Sequence, residues 1–249
     1  MGRQLDPWRF APLSLHSWRK LSRLGLFTAL LAISSLACAI PGLNSDPTPP
    51  PNPTPEGDTL FFNATYSVPL EPGSMIPGTR IVFVQAVDDL YEFTIDGLET
   101  YRQPGDSLNW RGVVAPGVFG DYRLRLRGDF LGRLQAEGPV ELAVLNPAPV
   151  EIPPTQTPAA AIHIEGITAN YFVPQGARIP GTTLVFEGLQ NDLAELSGTV
   201  GYPFFAADDS LLWSGKLRDN VYLRYNLRIS SLDEEGLGLT GTAELWATK

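Results

Sequence analysis

A short motif that combines an aspartate with a tryptophan occurs twice in the chain. It reads Asp-Ser-Leu-Asn-Trp-Arg-Gly at residues 106–112 and Asp-Ser-Leu-Leu-Trp-Ser-Gly at residues 209–215. A carboxylate beside an indole can bind a sugar, since the carboxylate accepts hydrogen bonds and the indole offers a flat apolar face. Aspartate and serine are also ordinary turn residues, and strand alternation would then place Leu108 and Trp110 together on a buried face. We expect this structural role, with Trp110 and Trp213 in the core.

The chain holds few of the residue types that most catalytic sites need. It has two histidines and one cysteine, which excludes a Cys-rich metal centre and leaves little histidine chemistry. The acidic pairs at 88–89 and 208–209 lack the spacing of a calcium loop, and no phosphate loop or serine-nucleophile motif is present. We therefore predict that the protein is not an enzyme and has no cofactor and no metal site. A carboxylate-dependent polysaccharide hydrolase is the alternative, because that chemistry needs no more than two acidic side chains.

An aromatic cluster, Tyr-Pro-Phe-Phe at residues 202–205, lies in a predicted loop. Aromatic side chains in loops are frequent recognition anchors, because they offer a large rigid surface at low entropic cost. Tyr202, Phe204 and Phe205 are therefore the candidate ligand-binding residues. The alternative is that they fold back as a lid over the core.

The two aspartate–tryptophan motifs belong to an internal duplication. Shifting the sequence by about 103 positions aligns Ile-Pro-Gly-Thr at 76–79 with the same four residues at 179–182, and Tyr122 with Tyr225. Gly117 aligns with Asn220, and glycine and asparagine are the residues that most readily adopt the left-handed backbone of a turn. The alignment predicts one fold built twice.

Strand periodicity dominates each copy. From Tyr122 to Arg127 apolar residues alternate with Arg123, Arg125 and Arg127, which predicts a half-buried strand with a solvated, salt-bridged arginine face. Similar short runs are separated by Gly, Pro, Asp or Asn, and no stretch after the N-terminal region has a helical stripe. The predicted fold class is all-β, with two tandem β-sandwich or small β-barrel domains. The other predicted strands lie at 60–68, 81–87, 91–95, 108–114, 140–145 and 225–230.

The N-terminal region has the pattern of an export signal. Five of its first 23 residues are basic and one is acidic, and the apolar stretch 24–36 is shorter than the ~20 residues of a membrane-spanning helix. The single cysteine follows in the run Ser-Ser-Leu-Ala-Cys that ends at Cys38. This run resembles the lipobox of bacterial lipoproteins, although residues 35 and 36 reverse the usual order of leucine and small residue. The resemblance implies that Cys38 carries the lipid, whereas cleavage after Ala39 would release a soluble secreted protein.

Two proline-rich segments divide the rest of the chain. Residues 41–58 contain seven prolines and predict an extended spacer of about 3.1 Å per residue. Residues 146–161 have the same character and separate the two copies. Both segments are expected to be exposed and free of regular structure and long-range packing. The predicted organisation is a signal segment at 1–37, a stalk at 38–58, a β domain at 59–145, a linker at 146–161 and a second β domain at 162–249.

Charge limits the partners of the mature protein. The N-terminal 23 residues hold five of the 18 basic and one of the 27 acidic residues, so the remaining chain has a net charge of −13. Such a chain repels nucleic acid. We predict an exported protein, anchored by its lipid on the extracytoplasmic face of the cell membrane, whose tandem β domains act as a binding or structural module for a cell-envelope glycan or a protein. A soluble secreted carbohydrate-binding protein is the alternative. Neither the ligand nor the oligomeric state follows from the sequence.

Overall fold

The computed structural model describes residues 58–128, 133–154, 160 and 162–248. These residues belong to a compact unit, Asn52–Lys249, and the unit Met1–Pro51 lies outside the described part. The predictions for the signal segment, for Cys38 and for stalk residues 38–57 therefore concern residues that the structure does not describe. In the described ranges nearly every element is a strand and no α-helix occurs, which confirms the all-β fold class.

Both copies of the duplication contain seven strands in the same chain order, and one further strand precedes the second set. The strands of the first half are β1 (Thr59–Leu70), β2 (Ile81–Val87), β3 (Leu90–Ile95), β4 (Leu98–Arg102), β5 (Ser107–Ala115), β6 (Val118–Gly128) and β7 (Leu134–Leu145). Those of the second half are β8 (Val150–Glu151), β9 (Ile162–Pro174), β10 (Val185–Gln190), β11 (Leu193–Ser197), β12 (Phe204–Phe205), β13 (Ser210–Arg218), β14 (Val221–Leu232) and β15 (Gly236–Ala247).

Each half arranges its strands in two antiparallel sheets, which we call the large and the small sheet. The first large sheet has the order β1-β7-β6-β5, and the first small sheet has the order β2-β3-β4. The second large sheet has the order β8-β13-β14-β15-β9, and the second small sheet has the order β10-β11-β12. Apolar side chains of the large and small sheets belong to one continuous core, as expected for β-sandwich packing.

The strands bury the residues that the sequence assigned to the core. Trp110 and Trp213 are both buried, on the same face of their strands as Leu108 and Leu211. This confirms the structural role predicted for the two tryptophans. The same core contains Tyr122, Leu124, Tyr225 and Leu227.

A pair of tyrosines meets edge to face at equivalent places in the two halves. The ring centroids of Tyr66 and Tyr122 are 6.1 Å apart, and those of Tyr171 and Tyr225 are 6.0 Å apart. Burial raises the pKa of Tyr122 and of Tyr225 above the ordinary tyrosine value, so both hydroxyls stay protonated. The Tyr225 hydroxyl lies 2.8 Å from that of Tyr171, whereas the Tyr122 hydroxyl has no hydrogen-bond partner among the described residues.

The repeated Ile-Pro-Gly-Thr sequence forms a tight turn that leads into the small sheet. Gly78 has φ +80°, and the Thr79 amide donates to the Ile76 carbonyl at 3.1 Å, as in a turn with proline at its second and glycine at its third position. The Thr79 hydroxyl donates to the same carbonyl at 2.8 Å and accepts from the Ile81 amide at 3.0 Å. Thr182 repeats both hydroxyl bonds in the second half. The motif is therefore structural, and its threonine can be buried because its hydroxyl both donates and accepts a hydrogen bond.

Part of the linker between the halves forms an edge strand. Strand β8 pairs with residues 215 and 216 of β13. The Ala148 amide donates to the Leu217 carbonyl at 2.8 Å, and the Ile152 amide donates to the Ser214 carbonyl at 3.0 Å. The prediction that the whole linker lacks regular structure and long-range packing is therefore wrong for residues 148–152.

Proline positions explain why this short segment can pair at all. The amides that donate to β13 belong to Ala148 and Ile152, so alternation directs the N positions of Pro149 and Pro153 away from β13. Proline is tolerated on an edge strand in this phase, because the N–H group it lacks would have faced solvent. The domain limits drawn from the sequence remain predictions.

The hairpin between β13 and β14 joins the two halves. The Arg218 guanidinium donates to the Leu145 carbonyl at 2.6 Å, and the Asn220 amide donates to the Pro116 carbonyl at 3.1 Å. Gly117 has φ +74°, but Asn220 is not among the residues with positive φ. The prediction that both residues share a left-handed conformation is therefore wrong for Asn220, which instead connects the second half to the first.

Candidate functional site

The aspartates of the repeated motif close turns. The Asp106 carboxylate accepts a hydrogen bond from the Gln103 amide at 2.8 Å, and Asp209 accepts one from the Ala206 amide at 2.7 Å. The predicted turn role is thus confirmed in both halves. The buried indoles are also engaged, since Trp110 Nε1 donates to Asp96 at 3.3 Å and Trp213 Nε1 donates to Thr183 at 3.2 Å.

The aromatic cluster lies at the edge of the second small sheet. Phe204 and Phe205 form β12, so the prediction that they belong to a loop is wrong for these two residues. Pairing with β11 supplies the reason, because Phe205 lies opposite the buried Ala194 and packs against the core. Tyr202 is 70% exposed, and its ring meets the half-buried Phe204 edge to face with centroids 5.5 Å apart. Tyr202 and Phe204 therefore form an outward-facing aromatic pair, and Phe205 does not join it.

A carboxylate accompanies an aromatic residue at equivalent places on both small sheets. Phe204 lies opposite Glu195 in the second half, and Tyr101 lies opposite Glu92 in the first. Each pair occupies the face of its sheet that points away from the core, and Tyr101 is 44% exposed. We call these pairs the outer aromatic–glutamate pairs. A hydrogen bond to Glu99 at 2.5 Å, followed by burial and the negative charges of Glu99 and Glu92, raises the pKa of Tyr101.

A side-chain amide lies beside each outer aromatic–glutamate pair but comes from a different residue. In the first half Gln85 donates to Glu92 at 2.8 Å. In the second half the residue opposite Glu195 is Gly188. A Cβ at Gly188 would lie 2.6 Å from Nε2 of Gln175, whose amide fills that space. The two small sheets thus combine an aromatic ring, a carboxylate and an amide on their outer faces.

An acidic cleft lies between two turns of the second half. Its volume is about 570 Å³, and it is bordered by Gln175, Asp192, Asp233 and Glu234. The Asp233 carboxylate accepts hydrogen bonds from the amides of residues 235 and 236, at 2.9 and 3.0 Å, and so closes its own turn. No group of three or more His, Cys, Asp or Glu side chains in the described ranges can hold a metal ion. The hydrolase alternative remains a prediction.

The arginine face of β6 carries ion pairs, as the sequence predicted. Arg123 contacts Asp121 at 2.9 Å, and Arg127 contacts Glu137 at 2.9 Å. The hydrogen bond from Arg123 and that from Arg111 hold the pKa of Asp121 below its usual value. The carboxylates offset the charge of much of this face, so it is a mixed surface.

Sequence reasoning missed a covered aromatic residue on the outer face of the second large sheet. Trp246 points away from the core but is 7% exposed. The His163 ring stacks on it with centroids 4.6 Å apart, and the Arg224 guanidinium lies 5.1 Å from its ring centroid. Residues 152–154 of the linker lie in the same small pocket as Trp246 and Arg224. The sequence held one signal for this. Trp246 is adjacent to the inward-facing Leu245, so strand alternation directs the tryptophan outward, where a large apolar side chain calls for a covering segment.

The chain was compared with known protein families, curated proteins and solved structures. No family model, curated protein or solved structure matches the chain. Among the residues that the structure describes, none forms a helix long and apolar enough to cross a membrane. Cys38, the predicted lipid attachment site, lies outside those residues.

Proposed function

We propose that this protein is an exported, lipid-anchored module that binds neutral carbohydrate through the outer faces of its two small sheets. The observation that carries the proposal is the recurrence of the outer aromatic–glutamate pair, Glu92 with Tyr101 and Glu195 with Phe204. Small-ligand sites typically combine aromatic surface with a few placed polar groups. The exposed Tyr202 enlarges that surface in the second half.

The chemistry of these faces suits a sugar. An aromatic ring packs against the apolar C–H face of a pyranose, while a glutamate accepts hydrogen bonds from its hydroxyls. The nearby amides of Gln85 and Gln175 supply donors. We expect neutral glycans to bind better than acidic ones, because the chain after its basic N-terminal 23 residues carries a net charge of −13.

The two sites differ in apolar area. The second half has two outward rings, Tyr202 and Phe204, where the first half has Tyr101. Stacking energy grows with the aromatic surface covered, so the second site should bind more tightly. Two sites on one chain also raise avidity for a polymer that spans both.

Binding can be tested with soluble oligosaccharides of glucose and of N-acetylglucosamine, presented on an array and titrated by calorimetry. Tyr202→Ala and Phe204→Ala should each weaken binding at least tenfold, and Tyr101→Ala should have a smaller effect. Phe172→Ala is the matched control, because Phe172 is an exposed aromatic residue on the second large sheet. Failure of every neutral glycan to bind, or equal losses with Phe172→Ala, would reject the proposal.

The lipid anchor belongs to the same proposal and has a separate test. The support is the placement of Cys38 at the end of an export-type apolar stretch. Mass spectrometry of the mature N-terminus should find a diacylated or triacylated Cys38, because one acyl chain alone gives marginal anchoring. An unmodified chain that begins at Ile40 would exclude the anchor and leave a secreted protein.

A further inference from the structure

We propose that the edge of the first large sheet at strand β5, which has a single neighbour among the described strands, binds an extended, proline-containing peptide segment of a partner protein. The site is distinct from the outer aromatic–glutamate pairs, since it lies on the large sheet rather than the small one. Its outer floor is an apolar row that crosses the first large sheet. The row consists of Phe61, Ala143, Phe119 and Val113, which lie opposite one another in register.

The second half shows how such an edge is filled. There β8 lies beside β13, the counterpart of β5, and the following residues 152–154 approach the outward Tyr222 and Trp246. The segment is held by main-chain hydrogen bonds to the carbonyls of Ser214 and Leu217. Strand addition of this kind is a general mode of peptide recognition, in which the main chain gives affinity and alternate side chains give specificity.

The equivalent edge of the first half has no such cover among the described residues. Strand β5 pairs with β6 and with no other described strand. Gly112 is half-buried, whereas its counterpart Gly215, beside β8, is buried. The carbonyls that correspond to those of Ser214 and Leu217 belong to Arg111 and Val114. These groups form a template for a further strand.

Two residues of the outer row beside this edge are exposed, whereas Ala143 between them and its counterpart Trp246 are both buried. Phe61 is 51% and Val113 is 57% exposed. In the second half the row equivalent to Ala143, Phe119 and Val113 contains Trp246, Tyr222 and Lys216, and the tryptophan is buried. An incoming segment would cover Val113 first, as Val150 lies opposite Lys216 in the second half.

The edge also determines what the partner segment should contain. In the second half, Val150 lies opposite Lys216, and the Ile152 amide donates to the Ser214 carbonyl. The prolines on either side are at alternate positions, so their N atoms point away from β13. The favoured ligand therefore has apolar residues at alternate positions and prolines in the opposite phase.

A synthetic peptide with the sequence of residues 147–154, Pro-Ala-Pro-Val-Glu-Ile-Pro-Pro, is the probe for this site. Fluorescence anisotropy with the labelled peptide and the full chain should give saturable binding. Val113→Glu should weaken binding at least tenfold, because it places a charge in the apolar row that the peptide would cover. Leu212→Glu is the matched control, since Leu212 is an exposed apolar residue on β13, and it should change the affinity less than twofold.

A modified peptide tests the main-chain contacts without altering the protein. Methylation of the isoleucine nitrogen should abolish binding, because the Ile152 amide is a donor in the template. Methylation of the neighbouring glutamate nitrogen should have little effect, since alternation directs that amide away from the sheet. Loss of binding with the glutamate methylation, or unchanged binding with the isoleucine methylation, would contradict strand addition.

Three results would overturn the proposal. The first is the absence of saturable binding. The second is equal binding to the wild-type and Val113→Glu proteins, which would mean that the peptide replaces β8 or binds elsewhere. The third is concentration-dependent self-association, seen by sedimentation velocity and lost in Val113→Glu, which would assign the face to a second copy of this chain. None of these results bears on glycan binding by the small sheets.

Discussion

The two halves of the molecule bury equivalent side chains but present different ones on the outer faces of their large sheets. Inside, Trp110 matches Trp213 and Tyr122 matches Tyr225. Outside, position 121 is an aspartate that pairs with arginines, whereas the counterpart Arg224 packs on Trp246. Inward positions are fixed by the shape of the neighbouring side chains, whereas outward positions can change as long as water or another segment satisfies them.

Residues 148–154 of the linker are part of the second sandwich. Trp246 is buried although it faces outward, because His163, Arg224 and residues 152–154 lie around it. The corresponding position in the first half is Ala143, with Phe61 and Val113 exposed nearby. Among the described residues, the second half therefore has an edge strand, with an aromatic residue beneath its end, that has no counterpart in the first half.

The largest expected effect tests whether the two halves of the core are equivalent. Trp110→Ala and Trp213→Ala should each lower the free energy of unfolding by about 3 to 5 kcal/mol, because each leaves a large cavity in a packed sandwich. Urea denaturation followed by circular dichroism measures both. Leu212→Ala is the control and should change stability by less than about 0.5 kcal/mol, since its side chain is exposed. A loss below about 1 kcal/mol for one tryptophan would show that its half of the core is not equivalent to the other half.

Much of the fold followed from local sequence patterns. Alternation placed Tyr122, Leu124 and Leu126 on the buried face of β6, and the repeated motifs located the turns. These predictions succeeded because an inward side chain every second residue is a local property of a strand. The duplication was also detectable without knowledge of long-range contacts, because the two copies of each motif align in the sequence itself.

The parts that sequence reasoning missed depend on long-range pairing. Strand β8 spans two residues among prolines, so it has no periodicity to detect. Strand β12 was assigned to a loop, because Phe204–Phe205 is too short to show alternation and becomes a strand only beside β11. Asn220 was assigned a left-handed backbone conformation from its residue type, but it lies in its turn without a positive φ, and its side-chain amide donates to Pro116 of the other half. For the candidate site, the sequence identified Tyr202 and Phe204 but not the glutamate opposite Phe204.

A second test concerns the turn glycines, whose surroundings differ between the halves. A Cβ at Gly78 would lie 2.6 Å from the Tyr122 hydroxyl, and one at Gly181 would lie 2.7 Å from a methyl group of Leu60. Both glycines also have positive φ. Gly78→Ala and Gly181→Ala should each cost about 1 to 3 kcal/mol of unfolding free energy.

Double variants that combine each glycine substitution with a Tyr→Phe substitution in the same half should reveal the different surroundings of the two turns. Tyr122→Phe removes the atom nearest to the added methyl group, so it should restore part of the stability lost in Gly78→Ala. Tyr225→Phe should give no such rescue of Gly181→Ala, because the nearest atoms there belong to leucines. A double-mutant cycle from urea denaturation measures this coupling. Equal rescue in both halves would contradict the described packing.

A smaller effect should separate the two buried tyrosines. Tyr225→Phe removes the hydrogen bond to Tyr171 and leaves that hydroxyl without it, so stability should fall by about 1 kcal/mol. Tyr122→Phe removes a buried hydroxyl that has no partner among the described residues, so it should be neutral or slightly stabilising. Thermal unfolding of the two variants under one condition measures the difference. Equal destabilisation by both would mean that the Tyr122 hydroxyl is also satisfied.

The smallest expected effect lies on the outer face of the first large sheet and depends on pH. Hydrogen bonds from Arg123 and Arg111 lower the pKa of Asp121 in the folded protein, so this group binds its proton less readily than in the unfolded chain. Its contribution to stability is therefore fully present above the unfolded pKa of about 3.9 and is lost as the pH falls through the lower folded value. Because both guanidinium groups are more than half exposed, Asp121→Asn should cost less than about 1 kcal/mol at pH 7. Urea midpoints measured from pH 7 to pH 2 should converge for wild type and variant as the pH falls. At pH 7, about 0.5 M salt should also bring the two midpoints closer together, because salt screens exposed charges. A gap that persists unchanged at low pH would show that Asp121 stabilises the sheet through packing rather than through charge.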